Sequence, residues 1–271
     1  ALRFHTCNGL VVDSLTMTNS PGGHISLNGC DGAKFSHINI TAPRQSPNTD
    51  GFDIAVSKNI LIEDSTIGVG DDCIAINGGT SYINATRVVC GPGHGISIGS
   101  LGRNNSHETV EEVHVQNCSF IGTTNGARIK TWPVSNWWRL VNIFFIFIVF
   151  LVLKSCDYGG SGYARKISFE EIILSETENP IIIDQNYGIK TLDPKDGAVE
   201  VSEVTYRWFK GTCADGKAID LKCSTSGCFN VTLDEIYIVS SQPSKPAYAI
   251  CKNAHGTVGK AVPNVSCILP P

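Results

Sequence analysis

Residues 71–98 read DDCIAINGGTSYINATRVVCGPGHGISI, and this stretch contains one short pattern twice. A run of alternating apolar residues begins at Ile74 and ends in a turn rich in Asn and Gly. The same run begins again at Ile96, 22 residues later. Alternation over a few residues, bounded by turn formers, is typical of a β-strand. The stretch therefore predicts one turn of a repeating β structure.

The pattern continues on the N-terminal side, where equivalent strands begin at intervals of 20–29 residues. The first residues of this series are Leu2, Ile25, Ile54, Ile74 and Ile96. Repeats of this length that each supply a few short strands stack into a solenoid of parallel strands. We therefore predict an all-β solenoid. A β-sandwich also has many short strands, but it does not require the regular spacing.

The composition is typical of a folded extracellular protein. Of the 271 residues, 42% are hydrophobic and 17% charged, and the net charge of -4 leaves no basic surface for nucleic acid. Eleven cysteines and six Asn-X-Ser/Thr sequons indicate an oxidising compartment, and we expect secretion. Two local disulfides are predicted, Cys223–Cys228 and Cys251–Cys267. The sequon asparagines are Asn39, Asn84, Asn104, Asn117, Asn230 and Asn264.

The repeat is interrupted at residues 133–158. An ordinary interval returns if these 26 residues are removed from the 52 that separate Ile129 from Ile181. The segment contains 11 successive apolar residues, fewer than the roughly 20 that a transmembrane helix needs, so we expect no membrane partner. We predict one solenoid domain over residues 1–271, lacking its N-terminal rungs, with 133–158 as a hydrophobic insertion foreign to the repeat. Our hypothesis for its origin is a retained intron.

Charged and titratable side chains collect at one phase of the repeat. Successive rungs of a solenoid lie about 4.8 Å apart, so residues of equal phase become neighbours on one face. Arg128 and Lys130 flank Ile129, and both therefore point outward if Ile129 points into the core. The residues that share this phase are Asp50, Asp71, Asp72, His94, Arg128 and Lys130.

Such a cluster is suited to the hydrolysis of a glycosidic bond. One carboxyl group acts as acid and another as base, and mutual repulsion among Asp50, Asp71 and Asp72 is expected to raise one pKa. Carboxylates on adjacent rungs can leave the roughly 6.5–9.5 Å gap that admits a water, which predicts inversion. Arg128 and Lys130 would bind carboxylate groups on the sugar.

Four motifs of the chain resemble those of plant polygalacturonases, glycoside hydrolase family 28, in order and spacing. They are Asn48-Thr49-Asp50, Gly70-Asp71-Asp72, Gly93-His94-Gly95 and Arg128-Ile129-Lys130. The resemblance extends from Ala1 to about Ser266, apart from 133–158. It implies a right-handed parallel β-helix. It also implies hydrolysis of α-1,4-galacturonosyl linkages in polygalacturonate, by an endo-acting, monomeric cell-wall enzyme without metal or cofactor.

The same resemblance implies a role for each matching residue. Asp71 corresponds to the proton donor, and Asp50 and Asp72 correspond to the pair that activates the attacking water. His94 would support this network. The residues that the resemblance assigns to substrate binding are Arg128, Lys130, Tyr187 and Asn48.

Two other functions remain open. The insertion begins shortly after Lys130 and would disturb the substrate-binding rung, so the chain could be a catalytically impaired pectin-binding protein of the cell wall. The second alternative is a calcium-dependent pectate lyase, because three clustered aspartates could bind Ca²⁺. A chelator would abolish the lyase activity and leave hydrolysis unchanged.

Overall fold

The computed structural model describes residues 1–133, 159–188 and 199–271. These residues form 22 strands, which we number β1 to β22 along the chain, and one 3-10 turn at Arg103–Asn105. Nine strands pair side by side in parallel, one from each rung, and form the first sheet. They are β1 (Leu2–His5), β4 (Ile25–Asn28), β7 (Phe52–Ala55), β9 (Ile74–Ile76), β11 (Ile96–Leu101), β14 (Asn125–Thr131), β16 (Asn179–Asp184), β18 (Lys217–Lys222) and β20 (Tyr248–Lys252).

The second sheet has thirteen strands and is also built from parallel pairs. The chain alternates between the two sheets, so each rung contributes to both. The members of this sheet are β2 (Val11–Asp13), β3 (Thr16–Thr18), β5 (Asp31–Ser36), β6 (Asn39–Thr41), β8 (Lys58–Gly68), β10 (Thr80–Cys90), β12 (His107–Gln116), β13 (Ser119–Ile121), β15 (Ser161–Thr177), β17 (Val199–Cys213), β19 (Cys228–Ser240), β21 (Ala254–Val258) and β22 (Ala261–Val262).

The core lies between the two sheets. In the nine-stranded sheet, the register stacks Ile25, Phe52, Ile74 and Ile96 in one inward column, and all four are fully buried. Branched apolar side chains fill such columns because they pack well on a pleated surface. The prediction of an all-β solenoid of parallel strands is confirmed.

The register corrects one detail of the predicted repeat. Phe52, not Ile54, stands opposite Ile25, and Ile54 belongs to the neighbouring column with Leu27. The uneven intervals around Ile54 therefore came from taking the wrong residue as the strand start. The same slip occurs later, where Ile183 rather than Ile181 lies opposite Ile129.

Strands on the two sides of the predicted insertion are direct neighbours. Strand β14 pairs with β16, and the Gly160 N–H donates to the Gly102 carbonyl at 2.6 Å. Beyond Pro133, the predicted insertion 133–158 lies outside the described residues, so its separation from the single domain stays a prediction. Within the part of the chain that the structure describes, no helix has the length and apolar character needed to cross a membrane.

Three disulfides are present among the described cysteines. Cys223–Cys228 and Cys251–Cys267 confirm the two predicted pairs. A third, Cys73–Cys90, was not predicted, and it ties the residue that follows Asp72 to the end of β10. The described cysteines outside these bonds are Cys7, Cys30, Cys118 and Cys213.

Candidate active site

The predicted catalytic residues lie just before three neighbouring strands of the nine-stranded sheet. Asp50 precedes β7, Asp71 and Asp72 precede β9, and His94 precedes β11. Backbone hydrogen bonds between the rungs align these segments. The Gly51 N–H donates to the Asp72 carbonyl at 2.9 Å. The His94 N–H donates to the Asp71 carbonyl at 2.8 Å. The four side chains therefore gather at one edge of the outer face, as their phase predicts.

Asp72 binds both of the predicted substrate-binding cations. Its carboxyl group is only 2% exposed, and Arg128 donates to its Oδ1 while the Lys130 Nζ lies 3.0 Å from its Oδ2. Ser97 adds a third donor, with its Oγ 2.9 Å from Oδ1, and accepts from Arg128 Nε at 2.8 Å. A buried carboxylate is tolerated where opposite charges and hydrogen bonds compensate for lost hydration. The same bonds orient both cations on the outer face.

Asp71 and His94 form a second pair closer to solvent. The Asp71 Oδ1 accepts from the Asp72 N–H at 2.9 Å and lies 2.9 Å from His94 Nδ1. Burial acts to raise the pKa of Asp71, but it is outweighed by the hydrogen bond and charge of His94, by the Asp72 N–H and by Lys130. The net effect is a pKa below the ordinary value for aspartate.

Asp50 is the carboxyl group of this cluster whose pKa is raised. Burial raises its pKa to about 7, and the negative charges of Asp71 and Asp72 act in the same direction. The sequence alone predicted that the pKa of one of the three carboxyl groups would be raised. The proton donor, Asp71, is the group whose role calls for a raised pKa. The structure assigns the upward shift to Asp50, because His94 and Lys130 offset the burial of Asp71.

A groove of about 260 Å³ runs across the strands beside these groups. It is lined by residues of three rungs, among them His94, Arg128, Lys130 and Asp184. The Tyr187 ring completes it, 5.3 Å from Lys130 Nζ, and packs edge-on against Trp132. Four of the predicted site residues therefore line this groove, one predicted as catalytic (His94) and three predicted to bind substrate (Arg128, Lys130 and Tyr187).

Asn48 is the exception among the predicted binding residues. It is exposed in the turn before Asp50, with a φ of 53°, and does not line the groove. Its neighbour Thr49 links this turn to the next rung, because the Thr49 Oγ1 accepts a hydrogen bond from the Gly70 N–H at 3.0 Å. Gly70 itself must be glycine, since a Cβ there would lie 2.1 Å from the Ser46 carbonyl oxygen.

Sequence analysis missed Ser97. Its hydroxyl links Asp72 to Arg128. The signal was available, because Ser97 stands between the buried Ile96 and Ile98 and must point outward. The register also places it directly opposite Arg128.

Asp71, Asp72 and His94 are the described residues that come closest to a metal site. One ligand atom from each lies within 4.8 Å of the others. The Asp72 oxygens are already bound by Ser97, Arg128 and Lys130, and two adjacent cations oppose a further positive ion. Three ligands also fall short of the 6–8 oxygens that Ca²⁺ prefers. These residues do not fit Ca²⁺, and we derive no step through a metal.

Comparison with known proteins gives consistent relatives. The family model described as "Glycosyl hydrolases family 28" matches residues 1–150 and 151–267. A probable polygalacturonase of Arabidopsis thaliana is 44% identical over 99% of this chain and 55% of its own length. Polygalacturonases of Cryptomeria japonica and Malus domestica are 42% and 40% identical, over 94% and 92% of this chain and 45% and 50% of theirs. The chain spans about half the length of these curated relatives.

Solved structures share the fold at low identity. The endo-xylogalacturonan hydrolase of Aspergillus tubingensis superimposes with a TM-score of 0.77 at 22% identity, over 96% of this chain and 67% of that one. The polygalacturonase of Erwinia carotovora gives 0.68 at 23% identity, over 95% and 59%. The expected right-handed parallel β-helix is confirmed. Because the family model matches almost the whole chain, the chain belongs to glycosyl hydrolases family 28.

Proposed function

We propose that the protein hydrolyses α-1,4-galacturonosyl linkages in polygalacturonate with inversion of configuration. The observation that carries this proposal is the attachment of Arg128 and Lys130 to Asp72. It puts two fixed cations, which suit a uronate carboxylate, beside a cluster of three carboxyl groups, which suits acid and base catalysis. Family membership and the names of the curated relatives support the same substrate.

Asp71 is the proposed proton donor. Its side chain is 25% exposed, whereas that of Asp72 is 2% exposed and already accepts three hydrogen bonds, so Asp71 is the better placed to reach a glycosidic oxygen. Burial is the largest influence on its pKa and acts upward. Substrate that covers the groove adds to this burial and brings a further negative charge. Binding is therefore expected to raise the pKa of Asp71 and to keep its proton available for the leaving group.

Asp50 and Asp72 are the proposed pair that activates water. A carboxyl group with a pKa of about 7 is a stronger base, once deprotonated, than an ordinary aspartate. Asp50 would accept the proton of the attacking water, and Asp72 would help to orient that water. His94 orients Asp71 through the contact at 2.9 Å.

We propose that Arg128, Lys130 and Tyr187 bind substrate in the groove, and the role of Asn48, which lies outside the groove, stays a prediction. An ammonium group has three donors, and Lys130 uses one on Asp72, which leaves two for a sugar carboxylate. The Tyr187 ring offers an apolar wall beside that ammonium group. We further propose endo action, a monomer, and secretion to the plant cell wall, with no metal or cofactor and no membrane or nucleic-acid partner.

The test is release of reducing ends from polygalacturonic acid. The chain as written is compared with a variant that lacks residues 133–158, and proton NMR follows the anomer formed first. We expect cleavage by at least the deletion variant, with the β-anomer first and no effect of a chelator. An unsaturated, ultraviolet-absorbing product that disappears with chelator would indicate a lyase instead.

One observation favours a second candidate, a pectin-binding protein without catalysis. Trp132 is the second residue after Lys130, and its ring packs against Tyr187 in the groove. The predicted insertion begins at the next residue, so it could alter the binding rung. Binding of polygalacturonate by both forms, without release of reducing ends from either, would establish this function and contradict hydrolysis.

A further inference from the structure

A second buried aspartate on the outer face holds two cations. Asp220 lies on β18 between the inward-facing Ile219 and Leu221, and it is 1% exposed. Its Oδ2 lies 2.8 Å from the Nζ atoms of both Lys217 and Lys222. As at Asp72, two cations contact one buried carboxylate, but here both contacts are ion pairs to Oδ2, and neither Asp220 oxygen has a hydrogen-bond partner among the described residues.

The two clusters lie in one line across the sheet. In the register of the nine-stranded sheet, Arg128 stands opposite Ile182, and Ile182 stands opposite Asp220. Two rungs therefore separate Arg128 from Asp220, a distance of about 10 Å. The groove already crosses from His94 through Arg128 to Ile182, so its next rung is β18.

The lysines keep donors free on the solvent side. The side chains of Lys217 and Lys222 are 26% and 47% exposed, so each ammonium group presents N–H donors to a ligand in solvent. Lys252 stands opposite Lys222 on the next strand and adds positive charge. The opposing charge is Asp184, which stands opposite Lys222 on the other side and already accepts the Asn186 N–H.

We propose that Lys217 and Lys222 form a second carboxylate-binding subsite, which holds a uronate unit of a chain that also occupies the Arg128 and Lys130 rung. This proposal rests on the proposed function, whose substrate is a polyuronate. The ion pairs with Asp220 keep the two ammonium groups close together before substrate arrives, which reduces the order lost on binding. Chains long enough to span both clusters should therefore bind more tightly than short ones.

The test compares Lys222→Gln with Lys166→Gln. Lys166 is a matched control, because it is 45% exposed and also makes a 2.8 Å ion pair, with Glu112, but lies on the thirteen-stranded sheet. Asp220 keeps Lys217 in the Lys222→Gln variant, so its burial stays compensated. Calorimetry measures the Kd for trigalacturonate, hexagalacturonate and fully methyl-esterified hexagalacturonate, with Asp71→Asn in every protein so that no ligand is cleaved. Thermal unfolding checks that the variants remain folded.

We expect Lys222→Gln to raise the Kd for hexagalacturonate about fivefold, the scale of one half-exposed charge contact, and to leave the other two ligands unchanged. Lys166→Gln should leave all three unchanged. Equal binding of hexagalacturonate by the two variants would overturn the second subsite while leaving hydrolysis by the parent chain intact. If the parent chain cleaves nothing but Lys222→Gln still weakens hexagalacturonate selectively, the proposed function fails and the subsite stands. If the parent binds no oligogalacturonate, both fail.

Discussion

Asp72 and Asp220 both lie beside two cations, but only Asp72 accepts hydrogen bonds from its partners among the described residues. Each is a buried aspartate on the outer face of the nine-stranded sheet, and each holds two cations. Asp72 also has Asp71 beside it and Asp50 and His94 on the two adjacent rungs, whereas the strands beside Asp220 present Ile182 and Ile250 at its position. The Asp220 cation pair is built within one strand and that of Asp72 spans three rungs, but acid and base chemistry requires titratable groups on several consecutive rungs.

The largest effect is expected where the two clusters differ most. Asp71→Asn removes the proposed acid without changing side-chain size, and we expect the rate to fall by about 10²–10⁴-fold. The matched control is Asp234→Asn, which alters an aspartate paired with Arg207 on the thirteen-stranded sheet. Thermal unfolding should show that both variants remain folded. Reducing-end assays should show lost activity in Asp71→Asn and unchanged activity in Asp234→Asn. Equal activity in the two variants would remove Asp71 from the mechanism.

A second difference between the two clusters is that the first contains Asp50, a carboxyl group with a raised pKa. Its pKa is raised to about 7, so the folded state favours the protonated form relative to the unfolded chain. The stability penalty is absent below the unfolded pKa, grows as the pH rises, and is complete above about pH 7. We expect Asp50→Asn to increase the free energy of unfolding by about 2–4 kcal/mol at pH 8 and to leave it unchanged near pH 3.

Denaturant titrations of Asp50→Asn and the parent protein at both pH values measure this difference. The Asp31→Asn variant is the control, because the pKa of that carboxyl group is lowered, first by the Asn59 hydrogen bond. A gain in stability that is the same at both pH values would contradict the assignment of the raised pKa to Asp50.

The two cation pairs should contribute unequally to binding. Lys130 lies beside the proposed cleavage site and is 9% exposed, whereas Lys217 is 26% exposed. We expect Lys130→Ala to raise KM for polygalacturonate by roughly tenfold with a smaller change in kcat, and Lys217→Gln to raise it by less. Steady-state kinetics measures both. A larger effect of Lys217→Gln would reverse the proposed order of the subsites.

The smallest effect is expected for the hydroxyl that only the first cluster contains. Ser97→Ala removes the link between Asp72 and Arg128 but leaves both cations in place. Loss of one such hydrogen bond corresponds to about threefold to tenfold in kcat/KM. Ser97→Thr keeps the hydroxyl group and should restore the activity. Failure of Ser97→Thr to rescue a folded protein would show that packing at this position, rather than the hydroxyl, matters.

Much of the fold could be predicted because a parallel solenoid repeats one simple rule. Inward columns need apolar residues at a regular interval, and that interval is visible in the chain at Ile74 and Ile96. The residue opposite Ile25 could not be predicted from the sequence, since Phe52 and Ile54 are both buried and apolar. Only the hydrogen-bond register distinguishes them. Residues 134–158 and 189–198 lie outside the described part of the chain.

The sequence by itself determined which groups share one face, because stacking turns equal phase into proximity for Asp50, Asp71, Asp72, His94, Arg128 and Lys130. Only the tertiary structure decided how those groups divide their roles. Asp72 binds the two cations, His94 lowers the pKa of Asp71, and Asp50 is left with the raised pKa. Burial and hydrogen bonding set these differences, and both depend on side-chain directions at the turns. The Asp220 cluster also appeared only in the structure, because its charges are adjacent in space but lack a motif.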